Sequence, residues 1–508
     1  MKHNNINILL AILMSMISNN VFGYDIAVNS GDSVTLNYNY INNGTELELV
    51  GFNFNFYNSN HMADYYGKYN VIIPDSVTYM NRSRPVTSIS SRAFCRTGNQ
   101  LMKTLIIGDN VKTIGAEAFY SCSYLSTLTI GKRVKSIGVN AFTYNDKLKK
   151  VIIKDIAAWC HVTFSINEFG NPSNPWAVTN AYLYSDENTI MKELIIPEGV
   201  KEINRFCFYK CRGPVSITIP KSMKHIYSWA FYGFSLKSVN ITDIPCWCNI
   251  NFESYPNAPD LYLNGERVIN LTIPDGVKKI GARCFAGFSS LSSVNIPNSV
   301  TMIGEFAFYD CSGIESIIIP NSTKSIGNSA FEGCSKLTSV IIGNNVKSIE
   351  NSTFKNCSGL KYIDIPNCVT NIGERAFYGC NGLTSVVIPL SVTSIGQYAF
   401  SDCNSLYIIV SLIENPFALT KSQFTNDHYK NTSLYVPEGT KDKYKSTEGW
   451  KQFIWMKEGI PTGIQEEKVT NDDEKTWYSL DGMKLESAKK GINIIRHTNG
   501  KTSKVLIK

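Results

Sequence analysis

Charge is sparse in this chain. Only 18% of its 508 residues are charged, the net charge is +7, and no block of Lys or Arg stands out. A nucleic-acid partner is therefore not expected, because such proteins concentrate their cations on one face. Histidine is rarer, with six scattered along the sequence. His-Glu-x-x-His, Gly-x-Ser-x-Gly and P-loop patterns are all missing, which removes the commonest signatures of metal, nucleophilic and phosphate chemistry. Cys246-x-Cys248 is a tight cysteine pair, but without a second cluster it does not make a metal site. The sequence thus offers no catalytic residue, no cofactor site and no metal site, and we read it as non-enzymatic.

Long apolar runs are also missing. Ile8–Ile17 is apolar and follows a short polar start at Lys2 and His3. It is too short to span a bilayer, which takes roughly 20 apolar residues. It suits the apolar core of an export signal, with Val21-Phe22-Gly23 as the cleavage site. We therefore expect residues 1–23 to be a signal peptide, Tyr24 to start the mature chain, and no transmembrane segment to remain in it. No Cys lies near the cleavage point, which argues against lipid attachment there.

What the sequence has in abundance is a beat. Ile-Gly-x-x-Ala-Phe-x-x-Cys recurs with its Phe at Phe285, Phe308, Phe331, Phe354, Phe377 and Phe400, a period of 23. In the coil Leu291–Cys311, apolar residues stand at positions 1, 4 and 6 (Leu291, Val294, Ile296), then Pro297 at 7. They continue at 10 (Val300), 13 (Ile303), 17 (Ala307) and 18 (Phe308), with Gly304 at 14 and Cys311 at 21. Alternation across positions 3–6 is the signature of a short strand with one buried face. Pro at 7 ends the strand. Gly at 14 is expected to let the backbone turn, and Ala-Phe at 17 and 18 to fill the interior. No coil buries so much apolar surface alone, so the coils must stack as a repeat solenoid with short parallel strands. The register also runs through Phe94, Phe119, Phe142, Phe208 and Phe231, giving about 11 coils.

The spacing Leu-x-x-Val-x-Ile matches the opening of a leucine-rich repeat. The full string Ile-Pro-x-x-Val-x-x-Ile-Gly-x-x-Ala-Phe-x-x-Cys resembles the BspA-type leucine-rich repeat, found in surface proteins of Bacteroidetes. The resemblance implies a secreted or cell-surface protein with an adhesive role towards host protein, other cells or glycan. A surface scaffold without a specific ligand is the alternative.

The solenoid is expected over residues 71–410, behind a β cap at 24–70 and before a C-terminal cap at 411–458. Two interruptions, at 154–190 and 242–269, open alike with Asp155-Ile156-Ala157-Ala158-Trp159-Cys160 and Asp243-Ile244-Pro245-Cys246-Trp247-Cys248. We read them as two copies of one protruding module, with Trp159 and Trp247 as interior plugs. Residues 459–476 form a polar linker. Residues 477–508 read as two β-hairpins, around Asp481-Gly482 and Asn499-Gly500. This segment resembles the sorting domains of the type IX secretion system, which implies attachment to the outer membrane after C-terminal processing.

The fourteen cysteines do not read as a disulfide framework. Cys122, Cys211, Cys311, Cys334, Cys357, Cys380 and Cys403 all sit at position 21, and Asn145, Phe234 and Phe288 take that slot elsewhere. A slot that accepts Asn or Phe needs no covalent bond, so we read a column of buried thiols. Function is left to the surface. Contiguous apolar surface marks interfaces, so Ile318, Ile341 and Val387 at outward strand position 5 are candidate contacts. Tyr362 and Asp364 share that face, and Trp176 and Tyr255 lie in the parts of the interruptions expected to be exposed.

Overall fold

The computed structural model describes residues 24–29, 34–54, 67–95, 101–177, 179–420 and 422–459, and the strands at 476–478, 484–485, 491–496 and 502–507. The expected signal peptide and linker lie outside the described residues. Two compact units emerge. Unit one runs to Val215 and takes in Ile226–Ser235, and unit two comprises Ser216–His225 and the chain from Leu236.

In unit one the strands Tyr69–Ile73, Met102–Ile107, Thr127–Ile130, Lys150–Ile153 and Tyr182–Tyr184 stack in parallel as a first ladder. A second ladder stacks the end of Arg82–Ile89 with the two-residue strands Thr113–Ile114, Ser136–Ile137 and Thr163–Phe164. The N-terminal strands Ile26–Asn29, Val34–Ile41 and Glu46–Phe54 form an antiparallel meander. Its last strand pairs in parallel with Arg82–Ile89. The meander therefore meets the exposed hydrogen-bonding edge of the second ladder, which an uncovered end would leave open.

Unit two repeats the plan. Its first ladder includes Asn270–Thr272, Ser293–Asn295, Ser316–Ile318 and Ser339–Ile341, and then Tyr362–Asp364, Ser385–Ile388, Ile408–Ser411, Ser433–Val436 and Trp455–Glu458. Ser433–Val436 and Trp455–Glu458, in the segment expected to be a cap, are thus in-line ladder strands. The interruptions also add strands to the ladders, namely Thr163–Phe164 and Tyr182–Tyr184 in unit one and Asp260–Leu263 in unit two. These additions raise the count from about 11 expected coils to about 16 turns. They also correct the expectation of protruding modules.

A third hydrogen-bond ladder runs along the Phe turns. The Phe285 N–H donates to Ala307 O at 2.8 Å, Phe308 to Ala330 at 2.8 Å, and Phe331 to Thr353 at 2.9 Å. Positions 16 and 20 donate in the same sense, as in Arg283 N–H to Glu305 O at 2.9 Å and Asp310 N–H to Glu332 O at 2.8 Å. The alternation needs a left-handed residue at position 16, and Arg283, Phe306, Ser329, Ser352, Arg375 and Tyr398 all have φ between 53° and 59°.

Glycine at position 14 is needed for another reason than turning. Gly304 does not have positive φ. A Cβ there would lie 2.5 Å from Ala282 N in the preceding coil, and at Gly327 2.4 Å from Glu305 N. Close backbone approach excludes a side chain.

The interior follows the expected columns. Val300, Ile303, Ala307, Phe308 and Cys311 are all buried. The Phe rings stack nearly parallel at 5.4 Å (Phe285–Phe308), 5.5 Å (Phe308–Phe331), 5.6 Å (Phe331–Phe354), 5.7 Å (Phe354–Phe377) and 5.3 Å (Phe377–Phe400). Phe424 extends the stack at 5.4 Å, and Tyr429, Trp450 and Phe453 close around it. In the C-terminal module, 476–478 pairs antiparallel with 484–485 and with 491–496, and 491–496 pairs antiparallel with 502–507. The two turns named from the sequence lie outside the described residues.

Candidate binding surface

Successive residues of a strand face opposite ways, so burying positions 4 and 6 turns positions 3 and 5 outward. Register then aligns these positions into columns. In unit two, Ile318 lies opposite Ile341, and Asp364 opposite Val387, while the next member of that column, Val410, is buried. Ile318 is 54% exposed and Tyr362 47%, while Ile341, Asp364 and Val387 are half-buried. Beside them, Tyr362, Ser385, Ile408, Ser433 and Trp455 align along position 3. The strand-face candidates from the sequence are therefore brought onto one surface.

Beyond them Trp455 continues position 3 and is exposed, as are Tyr407 and Ile454, each one residue before position 3 of its coil. Ile454 and Trp455 escaped sequence reading because Leu412–Met456 departs from the 23-residue beat, whereas Tyr407 lies within the beat at a position that the reading of strand positions 3 and 5 did not take in. The available signal was the alternation in Ser433–Val436, whose Leu434 and Val436 are buried.

Earlier in unit two the outward columns are polar and satisfy one another. Asn240 Nδ2 donates to Thr218 Oγ1 at 3.3 Å, and Ser293 Oγ donates to Asn270 Oδ1 at 2.7 Å. From Ile318 onward position 5 turns apolar at Ile318, Ile341 and Val387, interrupted by Asp364, and position 3 gains Tyr362, Ile408 and Trp455 among the serines Ser339, Ser385 and Ser433.

The interruptions are built as matched pairs. Asp155 and Asp243 cap short helices by accepting from Ala158 N–H at 2.9 Å and Cys246 N–H at 2.6 Å. Each helix then buries its Trp. The Trp159 indole N–H donates to Cys207 O at 2.9 Å, and Trp247 to Cys284 O at 2.7 Å. Cys207 and Cys284 hold position 17, whose carbonyl in ordinary coils accepts from a Phe N–H. The indole supplies the donor that the interrupted coil no longer has.

Trp176 does not face solvent. It is 1% exposed and packs edge-on against Trp159 at 5.7 Å. Polar neighbours in its sequence suggested an open loop, but the ring completes the plug, so it is withdrawn as a contact. Tyr255 is half-buried, and burial chiefly raises its phenol pKa. It lies beside Gly287 and apart from the strand columns.

The position-21 thiols are unpaired. Cys311, Cys334, Cys357, Cys380 and Cys403 each donate to the Phe carbonyl of the preceding coil, as in Cys311 to Phe285 O at 2.9 Å and Cys357 to Phe331 O at 3.2 Å. Asn145 makes the same bond to Phe119 O at 3.2 Å. In these coils the slot holds a small buried donor, and Phe234 and Phe288 fill it with a ring elsewhere. Burial raises every pKa in the column, and pushes that of Cys403 up to about 12. Among the described residues, no group of three or more His, Cys, Asp and Glu is placed to hold a metal ion, and no helix is long and apolar enough to cross a membrane.

No curated protein matches the chain in sequence. Solved structures resemble it, the following three among them. A leucine-rich cell surface protein of Faecalibacterium prausnitzii is 25% identical, with 76% of this chain and 94% of that one covered and a TM-score of 0.39. A leucine-rich repeat protein of Bacteroides ovatus is 23% identical, with 86% and 100% covered and a TM-score of 0.46. The pneumococcal vaccine antigen PcpA is 16% identical, with 86% and 100% covered and a TM-score of 0.40. The BspA type leucine rich repeat region matches residues 69–174, 179–258, 258–382 and 347–442, most of the chain. With its coil register and its three ladders, the chain belongs to the BspA-type leucine-rich repeat family.

Proposed function

We propose that this is an exported, surface-displayed binding protein, and that the outer face of unit two from Ile318 to Trp455 holds an extracellular protein partner. The observation that carries this reading is the switch in the outward columns. Polar side chains there bond one another, whereas Ile318, Tyr362, Tyr407, Ile454 and Trp455 present apolar surface to solvent. Contiguous exposed apolar surface with a polar surround marks interaction sites. Tyr and Trp supply large contact area at low entropic cost. Asp364, in the middle, adds one charge that fixes which partner fits.

Export is supported by the leader-like residues 1–23, and surface attachment by the resemblance of residues 477–508 to sorting domains. Deleting Trp477–Lys508 is expected to keep the protein from the cell surface. Unchanged surface display removes that part of the reading.

The binding test uses the mature chain against immobilised fibronectin and fibrinogen, with a glycan array as a second arm. Saturable binding to a protein, weakened at least tenfold by Ile318→Ser with Tyr362→Ser, supports the proposal. Binding that ignores both substitutions, or no saturable protein binding, overturns it. Binding confined to the array reassigns the face to glycan.

A further inference from the structure

A second surface, on the turn side of unit one, has a different chemistry. A cleft of about 290 Å³ is lined by Thr163, Phe164, Ile166, Asn204, Arg205 and Phe206. Rings lead out of it in sequence. Phe206 meets Tyr209 edge-on at 5.7 Å, Tyr209 stacks on Tyr232 at 5.3 Å and 20°, and Trp229 meets Tyr232 at 4.9 Å. Trp229 is 46% exposed and Tyr232 52%. The result is a stepped aromatic edge beside the recess, with Trp229 inclined at 62° to Tyr232.

These rings stand on a left-handed backbone. Phe206 and Trp229 occupy position 16, with φ of 66° and 64°. Other coils place Arg283, Phe306, Ser329, Ser352, Arg375 and Tyr398 there, and among these Trp229 is the bulkiest side chain. A bulky side chain is uncomfortable there, at a cost of about 1–2 kcal/mol. Burial repays Phe206. It repays Trp229 only in part, since about half of that residue stays in solvent. A ligand stacked on the ring would supply the missing contact.

Charge narrows the ligand. Lys201, Arg205, Lys210 and Arg212 stand against Glu202 in this stretch. The Arg205 guanidinium lies 5.3 Å over Phe206, and Lys210 Nζ lies 5.3 Å over Tyr209. Arg205 makes no ion pair among the described residues, so its planar donors are open to a carboxylate. The aromatic edge is also small. Two half-exposed rings offer roughly 200 Å², far below the about 800 Å² per partner of a stable protein interface.

We propose that this cleft binds an acidic saccharide, with the apolar face of a pyranose on Trp229, Tyr232 against its edge, and its carboxylate at Arg205. This site is separate from the outer strand face and does not depend on it.

The test titrates the full chain with 3′-sialyllactose and a hyaluronan tetrasaccharide, with lactose as the neutral control. Isothermal calorimetry gives affinity, and saturation-transfer NMR shows which sugar protons meet the protein. At least one acidic sugar is expected to bind at least fivefold more tightly than lactose. Trp229→Ala should weaken it tenfold or more, while Trp229→Phe stays within about threefold of the parent, which separates ring stacking from misfolding. Arg205→Gln should abolish the preference for the acidic sugar. Lactose binding as tightly, no saturable binding by any of the three, or an unaffected Trp229→Ala chain each overturns the proposal.

Discussion

Phe308 and Ile318 stand ten residues apart in unit two, and both are large apolar side chains. Phe308 is buried between Phe285 and Phe331, while Ile318 is more than half exposed. Each interior column is templated by its neighbours, because the next coil presents the same ring, thiol and carbonyl in the same place. No such template acts on the outer columns, where Asn295, Ile318, Ile341, Asp364 and Val387 succeed one another at a single position. The inside repeats because it is self-complementary. The outside varies, so variation in a repeat protein points to what meets something other than itself.

The comparison is broken most severely from the inside. Phe331→Ala removes a ring held on both sides and should cost about 3–5 kcal/mol. The cost should be read as a lower urea midpoint, with nearest-neighbour coils losing protection first. A shift worth less than about 1 kcal/mol would mean that the column is not templated. Trp247→Phe keeps most of the plug's volume but leaves Cys284 O without its donor, which should cost about 1–3 kcal/mol. Trp159→Phe should cost a similar amount if the two interruptions are built alike, and a clear difference in urea midpoint would show that they are not.

Smaller effects sharpen the contrast. Cys357→Val removes the thiol donor to Phe331 O and should cost about 1 kcal/mol, whereas Cys357→Asn, following Asn145, keeps a donor in the slot. Because burial raises their pKa, the column thiols stay protonated at pH 8 and should resist Ellman's reagent in the native state. The half-buried Cys95, Cys246 and Cys368 should react first. Rapid native labelling of Cys357, located by mass spectrometry, would contradict the column as described. The smallest effect is expected outside, where Ile318→Ser with Ile341→Thr should move stability by about 0.5 kcal/mol or less per site while weakening partner binding.

Legibility in the sequence followed the same division. The columns at positions 4, 6, 10, 13, 17, 18 and 21 could be read because burial imposes a residue type that the period then exposes. Position 16 could not. Its left-handed backbone is dictated by N–H groups that must reach the next coil, and Arg283, Phe306 and Ser329 carry no trace of it. Gly304 was visible, but its reason was not, since close approach to Ala282 depends on the preceding coil. Trp176 was misread because Asn, Pro and Ser around it resemble an open loop, although the ring faces Trp159. The outer face was legible as far as Val387 and became illegible at Ile454 and Trp455, where the ladder goes on after the beat has stopped.

The one-way bonding of the Phe turns has a further consequence. At positions 16, 18 and 20 of the regular coils, each N–H reaches forward to the carbonyl of the following coil. Such a stack has a sense of direction, like a zip whose teeth all lean the same way. The forward end presents donors, and after the last regular coil Ser422 O and Gln423 O receive Tyr398 and Phe400. A gene segment cut and rejoined at any two equivalent points of the run would yield a longer or shorter stack with every bond still matched. Lengthening by recombination is therefore cheap within the run, provided that whole coils are gained and the accepting end is kept.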